Sequence, residues 1–393
     1  MEDLGWGGIF FGVVRQFLPV WIALIVTFAL SIRYKRRLGL YGKLFDSTIG
    51  MIGFGIVMFW VFTAIFSALI VTHDPLVQVS GMKNIAPGSL VKGSEEPDWY
   101  LLGGDALARD VFSRMVQGSQ IVILIAPLAT LFAFMVGITL GLPAGYNGGF
   151  LDTVLSFFAN LILAFPVILL FYLLVTPEIV QTGLPQYLGL LLFLFPIIFL
   201  VVLVNSRFYV KPRFRNAVVA AILILGGWIY LALISEPDSA LTIIPPTADF
   251  LHVPPNILIV FVSVVFVNSP TVFRIVRGLT LDIKTRDYVA AAQTRGERPW
   301  YIMLWEILPN ARGPLIVDFC LRIGYTTILL GTLGFFGLGL SPESPDWGTT
   351  INAGRKLLTI APHPAIVPAL ALMSLVLGLN LLADGLREES LKD

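Results

Sequence analysis

Charge is scarce in this 393-residue chain: only 13% of its residues are Asp, Glu, Lys or Arg, about half the roughly 25% of an ordinary soluble domain. That shortage leaves too few polar groups to coat a water-facing surface. Cysteine is almost missing. Cys320 stands alone, so no disulfide can form within the chain and the redox compartment is unreadable. A single cysteine inside an apolar run reads as a small core residue. The three histidines, His73, His252 and His363, are scattered through predicted outer loops and lack zinc spacing. No Gly-x4-Gly-Lys-Ser/Thr loop is present, so ATP is not expected to bind this chain through that cradle. No nucleophile, base and orienter set is found, so this chain is expected to be no enzyme and to bind no cofactor or metal. A net charge of +1 gives no signal toward nucleic acid. The N-terminus opens on Glu2 and Asp3, and its apolar stretch runs into a basic cluster rather than a small-residue cleavage site, unlike a secretory signal.

What fills the chain instead is apolar: 56% of residues are hydrophobic, and mean hydropathy is +0.85. A membrane-crossing helix needs about 20 mainly apolar residues. Nine uncharged runs qualify as candidates: Phe17–Ile32, Ile49–Thr72, Ile121–Ala144, Thr153–Thr176, Gln186–Asn205, Asn216–Ser235, Val253–Phe273, Pro314–Gly339 and Ala365–Ala383. The first is the shortest, and an interfacial helix is the alternative there. The eighth contains Asp318 and Arg322, spaced to pair on one helix face. The plain reading puts that turn at the cytoplasmic membrane surface, the other makes it a charge relay.

Short cytoplasmic loops carry an excess of Lys and Arg. Three loops do so: Arg33, Lys35, Arg36, Arg37 and Lys43; Arg207, Lys211, Arg213 and Arg215; and Arg274, Arg277, Lys284, Arg286, Arg295, Arg298 and Arg312. With nine alternating spans these three fall on one side. The acidic stretch Glu236–Asp249 falls on the other, as do Thr72–Gln120 and Ser341–Pro364. The expected topology has Met1 outside and Asp393 inside. Within Thr72–Gln120, the residues Asp105, Arg109, Asp110, Ser113 and Arg114 read as an amphipathic piece on the outer face.

The stretch from Asp287 to Pro309 has the most legible local physics. Thr285 or Asp287 can cap a helix start. Tyr288 follows, and Ala290, Ala291 and Ala292 have the highest helix propensity. Arg295 precedes Gly296, which sits where a helix end takes a left-handed residue. Pro299 suits the first turn of a second helix, and Leu308-Pro309 is expected to stop it. The result is a helix, a glycine turn and a second helix, lying off the membrane. Its small alanine face lets another protein approach closely. A surface hairpin with no partner is the alternative.

This stretch resembles the coupling motif of ABC importer permeases, in which a Glu-Ala-Ala triplet is followed by three residues, a Gly and later a Leu-Pro. Here the triplet is Ala290-Ala291-Ala292, with Ala290 replacing the usual acid. Four further segments resemble the second permease of the di- and oligopeptide type. They are Leu102-Gly-Gly-Asp105 with Arg109-Asp110 to Gly118, Gly145-Tyr-Asn-Gly148-Gly149-Phe-Leu-Asp152, Phe335-Phe-Gly-Leu-Gly339 with Pro345-Asp-Trp347-Gly348, and Asn380-Leu-Leu-Ala-Asp384-Gly385-Leu-Arg387. Gly104 and Ala108 stand where that family usually has Thr and Gly.

The resemblance implies an all-α polytopic fold, a six-span type I ABC importer core with about three extra spans. Two parts do not fit the six-span pattern, the run in residues 1–44 with its basic segment and a later insertion, and 45–393 is expected to be the permease domain. Within the latter lie an outer loop (72–120), an inserted two-span hairpin (180–252) and a coupling hairpin (285–310). The resemblance further implies a homologous permease partner, two cytoplasmic ATPase subunits carrying ATP and Mg, an extracytoplasmic binding protein, and a place among the lipids of the bacterial inner membrane. Short peptides are the expected cargo, with oligosaccharide or nickel as alternatives. Two other classes compete. An ion-driven transporter would show buried mid-span carboxylates and inverted repeats, and an intramembrane enzyme a catalytic pair within spans; neither pattern is visible.

Overall fold

A computed structural model describes residues 3–93, 97–234, 254–338, 341 and 343–390. The acidic stretch Glu236–Asp249, His252, Gly339 and the terminal residues Met1 and Asp393 lie outside the described residues. Helix dominates. Among the described residues the only paired strands are Ser89–Leu90 and Trp99–Tyr100, antiparallel within the 72–120 segment.

Among the described residues eight helices are long and apolar enough to cross a membrane, or nine if a bent pair is one span. Each of these eight carries described residues of one apolar run, the first on the 20-residue helical stretch Leu18–Arg37, while the second helix ends at Ile65, short of Thr72. The fourth run differs. Thr153–Thr176 is not one rod but two helices, Gly149–Leu163 and Val167–Val175, meeting at 83°. Pro166 explains the break. It disfavours helical geometry at the residue before it and stands extended, with φ −58° and ψ 121°, at the head of the second piece.

Two compact units divide the chain: Met1–Pro127 with Ile316–Asp393, and Leu128–Leu315. In the first, Thr48–Ile65 packs closely on His363–Ser390. A Cβ on Gly53 would lie 2.3 Å from the Leu382 nitrogen, and one on Gly385 2.4 Å from the Gly50 Cα. Without side chains there, the two backbones approach as small residues allow in membrane helices. Beside this seam, Trp60 and Trp347 meet edge to face at 5.0 Å. Each indole N–H is satisfied, Trp60 by Ser374 Oγ at 2.8 Å and Trp347 by the Met115 carbonyl at 2.9 Å. In the same unit Arg322 forks onto Asp318 at 3.0 and 3.1 Å on one helix face, as their spacing predicts. Cys320 is buried.

The 72–120 segment departs from expectation in its burial. Asp105, Arg109, Asp110, Ser113 and Arg114 do not lie along an exposed amphipathic surface; all five are buried. Asp105 accepts from the Leu107 and Arg109 amides and from Arg109 Nε, at 2.8, 2.9 and 2.7 Å. Asp110 receives the Ser113 amide at 3.0 Å at the start of the helix Val111–Asn147. Burial of these charges is tolerable because they pair with one another and with main-chain donors. Ala108 takes φ +63° in this turn, a backbone region that only glycine enters without a Cβ penalty.

In the second unit, the later half of Val111–Asn147 lies on Pro255–Ile283 through Gly137, Gly141 and Gly145. Added Cβ atoms there would come within 2.5, 2.9 and 2.7 Å of Val272, Val276 and Thr280 side chains. The segment read as an inserted two-span hairpin contains one apolar helical stretch, Leu184–Arg207, made of Leu184–Leu192 and Leu194–Arg207, and a second, Pro212–Ile234.

Candidate functional site

The Asp287–Pro309 stretch forms the expected hairpin, with two corrections to its details. The first arm is Asp287–Thr294. Its N-cap is Arg286, in extended geometry and with no side-chain cap, rather than Thr285 or Asp287. Asp287 occupies the first turn instead, where a negative charge suits the helix dipole. At the far end Gly296 adopts φ +76°. Its amide bonds to the Gln293 carbonyl at 2.9 Å, and the Glu297 amide reaches back to the Ala292 carbonyl at 3.2 Å. These two bonds make a Schellman turn, which satisfies carbonyls the helix end would otherwise leave open.

Arg298 is extended and caps the second arm, which begins at Pro299. The second correction lies downstream. Leu308-Pro309 does not stop this arm. The chain passes through a wide π turn, Ile302–Ile307, and a tight 3-10 turn, Leu308–Ala311, straight into Arg312–Phe336. Proline cannot donate to the carbonyl four residues back, and its ring crowds that carbonyl. Here the helix changes pitch around it, as π and 3-10 segments allow. Burial of Ile302, Met303, Leu304 and Ile307 on neighbouring elements keeps the arm helical.

The hairpin has an anchored side and a free side. Val289 and Ala292 are fully buried. Asp287, Tyr288, Ala290, Ala291, Arg295 and Gly296 are exposed, Leu308 is half-buried and Pro309 exposed. The three alanines therefore do not share one face: Ala290 and Ala291 look outward with Tyr288, while Ala292 packs inward. A Cβ on Gly296 would touch nothing within 4 Å, so its requirement for glycine comes from backbone conformation alone. Arg295 ties the arms together through Glu306 at 3.0 Å.

Sequence reasoning missed the residues that hold the hairpin from behind. Gln293 Nε2 donates to the Tyr146 hydroxyl at 3.0 Å. Lys284 Nζ donates to the Gly145 carbonyl at 2.8 Å, a cation on the last open carbonyls of a helix. Gly148 and Gly149, both at positive φ, turn the chain sharply behind Tyr146. The signal for Tyr146 was present in the Gly145-to-Asp152 motif, but its partner lies 147 positions away.

The pattern of the binding-protein-dependent transport system inner membrane component family matches residues 137–388, which include the whole hairpin. The chain is 30% identical over 299 residues to the glutathione transport system permease protein GsiD of Pectobacterium atrosepticum, covering 76% of this chain and 74% of that one. It is 25% identical over 348 residues to the dipeptide transport system permease protein DppC of Alkalihalophilus pseudofirmus, covering 88% and 87%. To DppC of Haemophilus influenzae it is 26% identical over 338 residues, covering 86% and 88%. The last two carry the name of the peptide-type permease that the ordered motifs resemble. With most of its length matched and eight helices able to cross a membrane, the chain belongs to the inner-membrane components of binding-protein-dependent transport systems and is a multi-pass permease of the ABC importer class.

Proposed function

We propose that this permease imports short peptides across the bacterial cytoplasmic membrane and that the Asp287–Pro309 hairpin couples it to ATP. A homologous permease supplies the other wall of the path, two cytoplasmic ATPase subunits bind ATP and Mg, and a binding protein outside delivers the cargo. The carboxyl end and the three basic loops face the cytoplasm. The relatives' names, dipeptide and glutathione permeases, support a peptide-like cargo, since glutathione is itself a small peptide.

One observation carries the coupling role. The hairpin is anchored on one side by Val289, Ala292 and Ile302 and presents small side chains, Ala290 and Ala291, beside a half-exposed Tyr288 on the other. Small side chains let a partner's surface approach the helix backbone closely, and a rigid hairpin transmits displacement instead of absorbing it. ATPase closure would drive the hairpin and open the path outward, and hydrolysis would reset it. Alternating access of this kind needs no ion gradient.

The test is Gly296→Val. At φ +76° a β-branched residue is strained by about 1–2 kcal/mol, with no steric clash to confuse the outcome. The expected result is an at least tenfold loss of labelled dipeptide uptake with the spans still folded. Wild-type uptake would remove the coupling assignment.

A further inference from the structure

The inserted two-span hairpin ends against the candidate coupling element. Ser206 and Arg207 close the helix Leu194–Arg207, and Tyr209 follows in the loop before Pro212–Ile234. Trp305 Nε1 donates to Ser206 Oγ at 3.0 Å. The Arg207 guanidinium lies over the Trp305 ring, 4.7 Å from its centroid. In the reverse sense, the Arg298 guanidinium lies over the Tyr209 ring at 5.0 Å. The contact is reciprocal: each segment contributes one arginine and one aromatic ring.

The placement matters as much as the contacts. Arg298 caps the second arm, and Trp305 sits in its π turn. The arm is thus held at its start and in its π turn by a single loop. Ser206 is buried, and its hydroxyl also donates to the Leu203 carbonyl at 2.9 Å, which fixes the acceptor lone pairs toward the indole. A guanidinium over an aromatic face is a directional attraction, unlike the diffuse pull of a basic loop on anionic lipid. Arg207, counted from sequence among four basic loop residues, has its guanidinium directed at Trp305. Gln293 and Tyr146 hold the first arm independently.

We propose that the Ser206–Tyr209 loop of the insertion is a positioning brace for the 287–309 hairpin, setting the pose in which its second arm meets an ATPase subunit. Ser206, Arg207 and Tyr209 are positioning residues, acting through Trp305 and Arg298. This inference rests on the hairpin being the coupling element, and the experiment separates the two.

The full complex, with its partner permease and ATPase subunits, is reconstituted in lipid nanodiscs. Four forms are compared with wild type: the double variant Arg207→Gln with Tyr209→Leu, the single variants Ser206→Ala and Tyr209→Phe, and Gly296→Val. Two quantities are read: hydrogen exchange of the backbone amides of residues 300–308, and ATP turnover per assembled complex. The double variant is expected to speed exchange at least threefold and to change turnover at least threefold. Ser206→Ala is expected to move both in the same direction by a smaller factor. Tyr209→Phe keeps the ring and is expected to match wild type in both. Wild-type exchange and turnover in the double variant, with turnover lost in Gly296→Val, would overturn the brace and leave coupling standing. Equal damage from Tyr209→Phe and the double variant would also overturn it. Wild-type turnover in Gly296→Val would overturn the coupling reading itself.

Discussion

Arg277 forks onto Asp152 across 125 positions of sequence, with Nη2 2.6 Å from Oδ2 and Nε on the other carboxylate oxygen. Asp152 stands in the first turn of Gly149–Leu163 and Arg277 in the last turns of Pro255–Ile283. The pair joins the glycine turn behind Tyr146 to the helix that leads into the hairpin. Its side chains are 32% and 16% exposed, so screening limits its strength, while the two-pronged geometry raises it. Asp152→Asn is expected to lower stability by about 1–2 kcal/mol. Exchanging the pair, Asp152→Arg with Arg277→Asp, is expected to recover part of that loss. Thermal unfolding of the three forms, wild type, Asp152→Asn and the exchanged pair, in detergent measures the effect.

The glycines at 137, 141 and 145 predict a steric threshold. A Cβ on Gly141 already falls 2.9 Å from the Val276 Cβ. Gly141→Leu is expected to destabilise the protein by about 1–3 kcal/mol through overpacking. Gly227→Leu is the control, because nothing lies within 4 Å of a Cβ there; its melting temperature is expected to match wild type.

Ala108 predicts a gain. At φ +63° its Cβ costs about 1 kcal/mol or more relative to glycine, partly offset by the greater freedom of glycine in the unfolded chain. Ala108→Gly is expected to stabilise the 72–120 segment by about 0.5 kcal/mol. A slower limited proteolysis of the 72–110 segment would show it.

His73 predicts a pH dependence. Burial lowers its pKa, but hydrogen bonds and charge from Asp110 and Asp98 outweigh that, and the net shift is upward from 6.5. Its Nε2 lies 2.7 Å from Asp98, its Nδ1 3.5 Å from Asp110, with Thr72 and the Tyr100 ring completing its surroundings. A raised folded pKa means that folding favours the protonated ring. The stabilisation is complete below about 6.5 and is lost as pH rises through the higher folded value. Melting temperature is expected to fall between pH 6 and 8, and His73→Gln to flatten that fall.

Local chemistry was the legible part. The alanine run, Gly296 and Pro299 place the hairpin without any tertiary information, because propensity, left-handed backbone and fixed φ act within a few residues. Pro166 was equally readable, and weighing it would have broken the fourth run. Pro309 was not: whether a helix stops or changes pitch at proline depends on what buries Ile302 and Ile307, and that lies elsewhere in the chain. The 72–120 segment failed for the same reason. Asp105 and Arg109 look like a wet surface until Asp105 is seen accepting main-chain amides. Trp305 and Ser206 are 99 positions apart, and nothing local announces their meeting.

The Schellman turn at Gly296 is closed by the hairpin's own main chain, with both of its bonds made inside residues 292–297. The hairpin is therefore preorganised. A protein meeting it has no disordered loop to fold and no ordering entropy to overcome. Capture of the hairpin by the ATPase subunit proposed above would then depend on encounter and shape complementarity more than on folding of this turn.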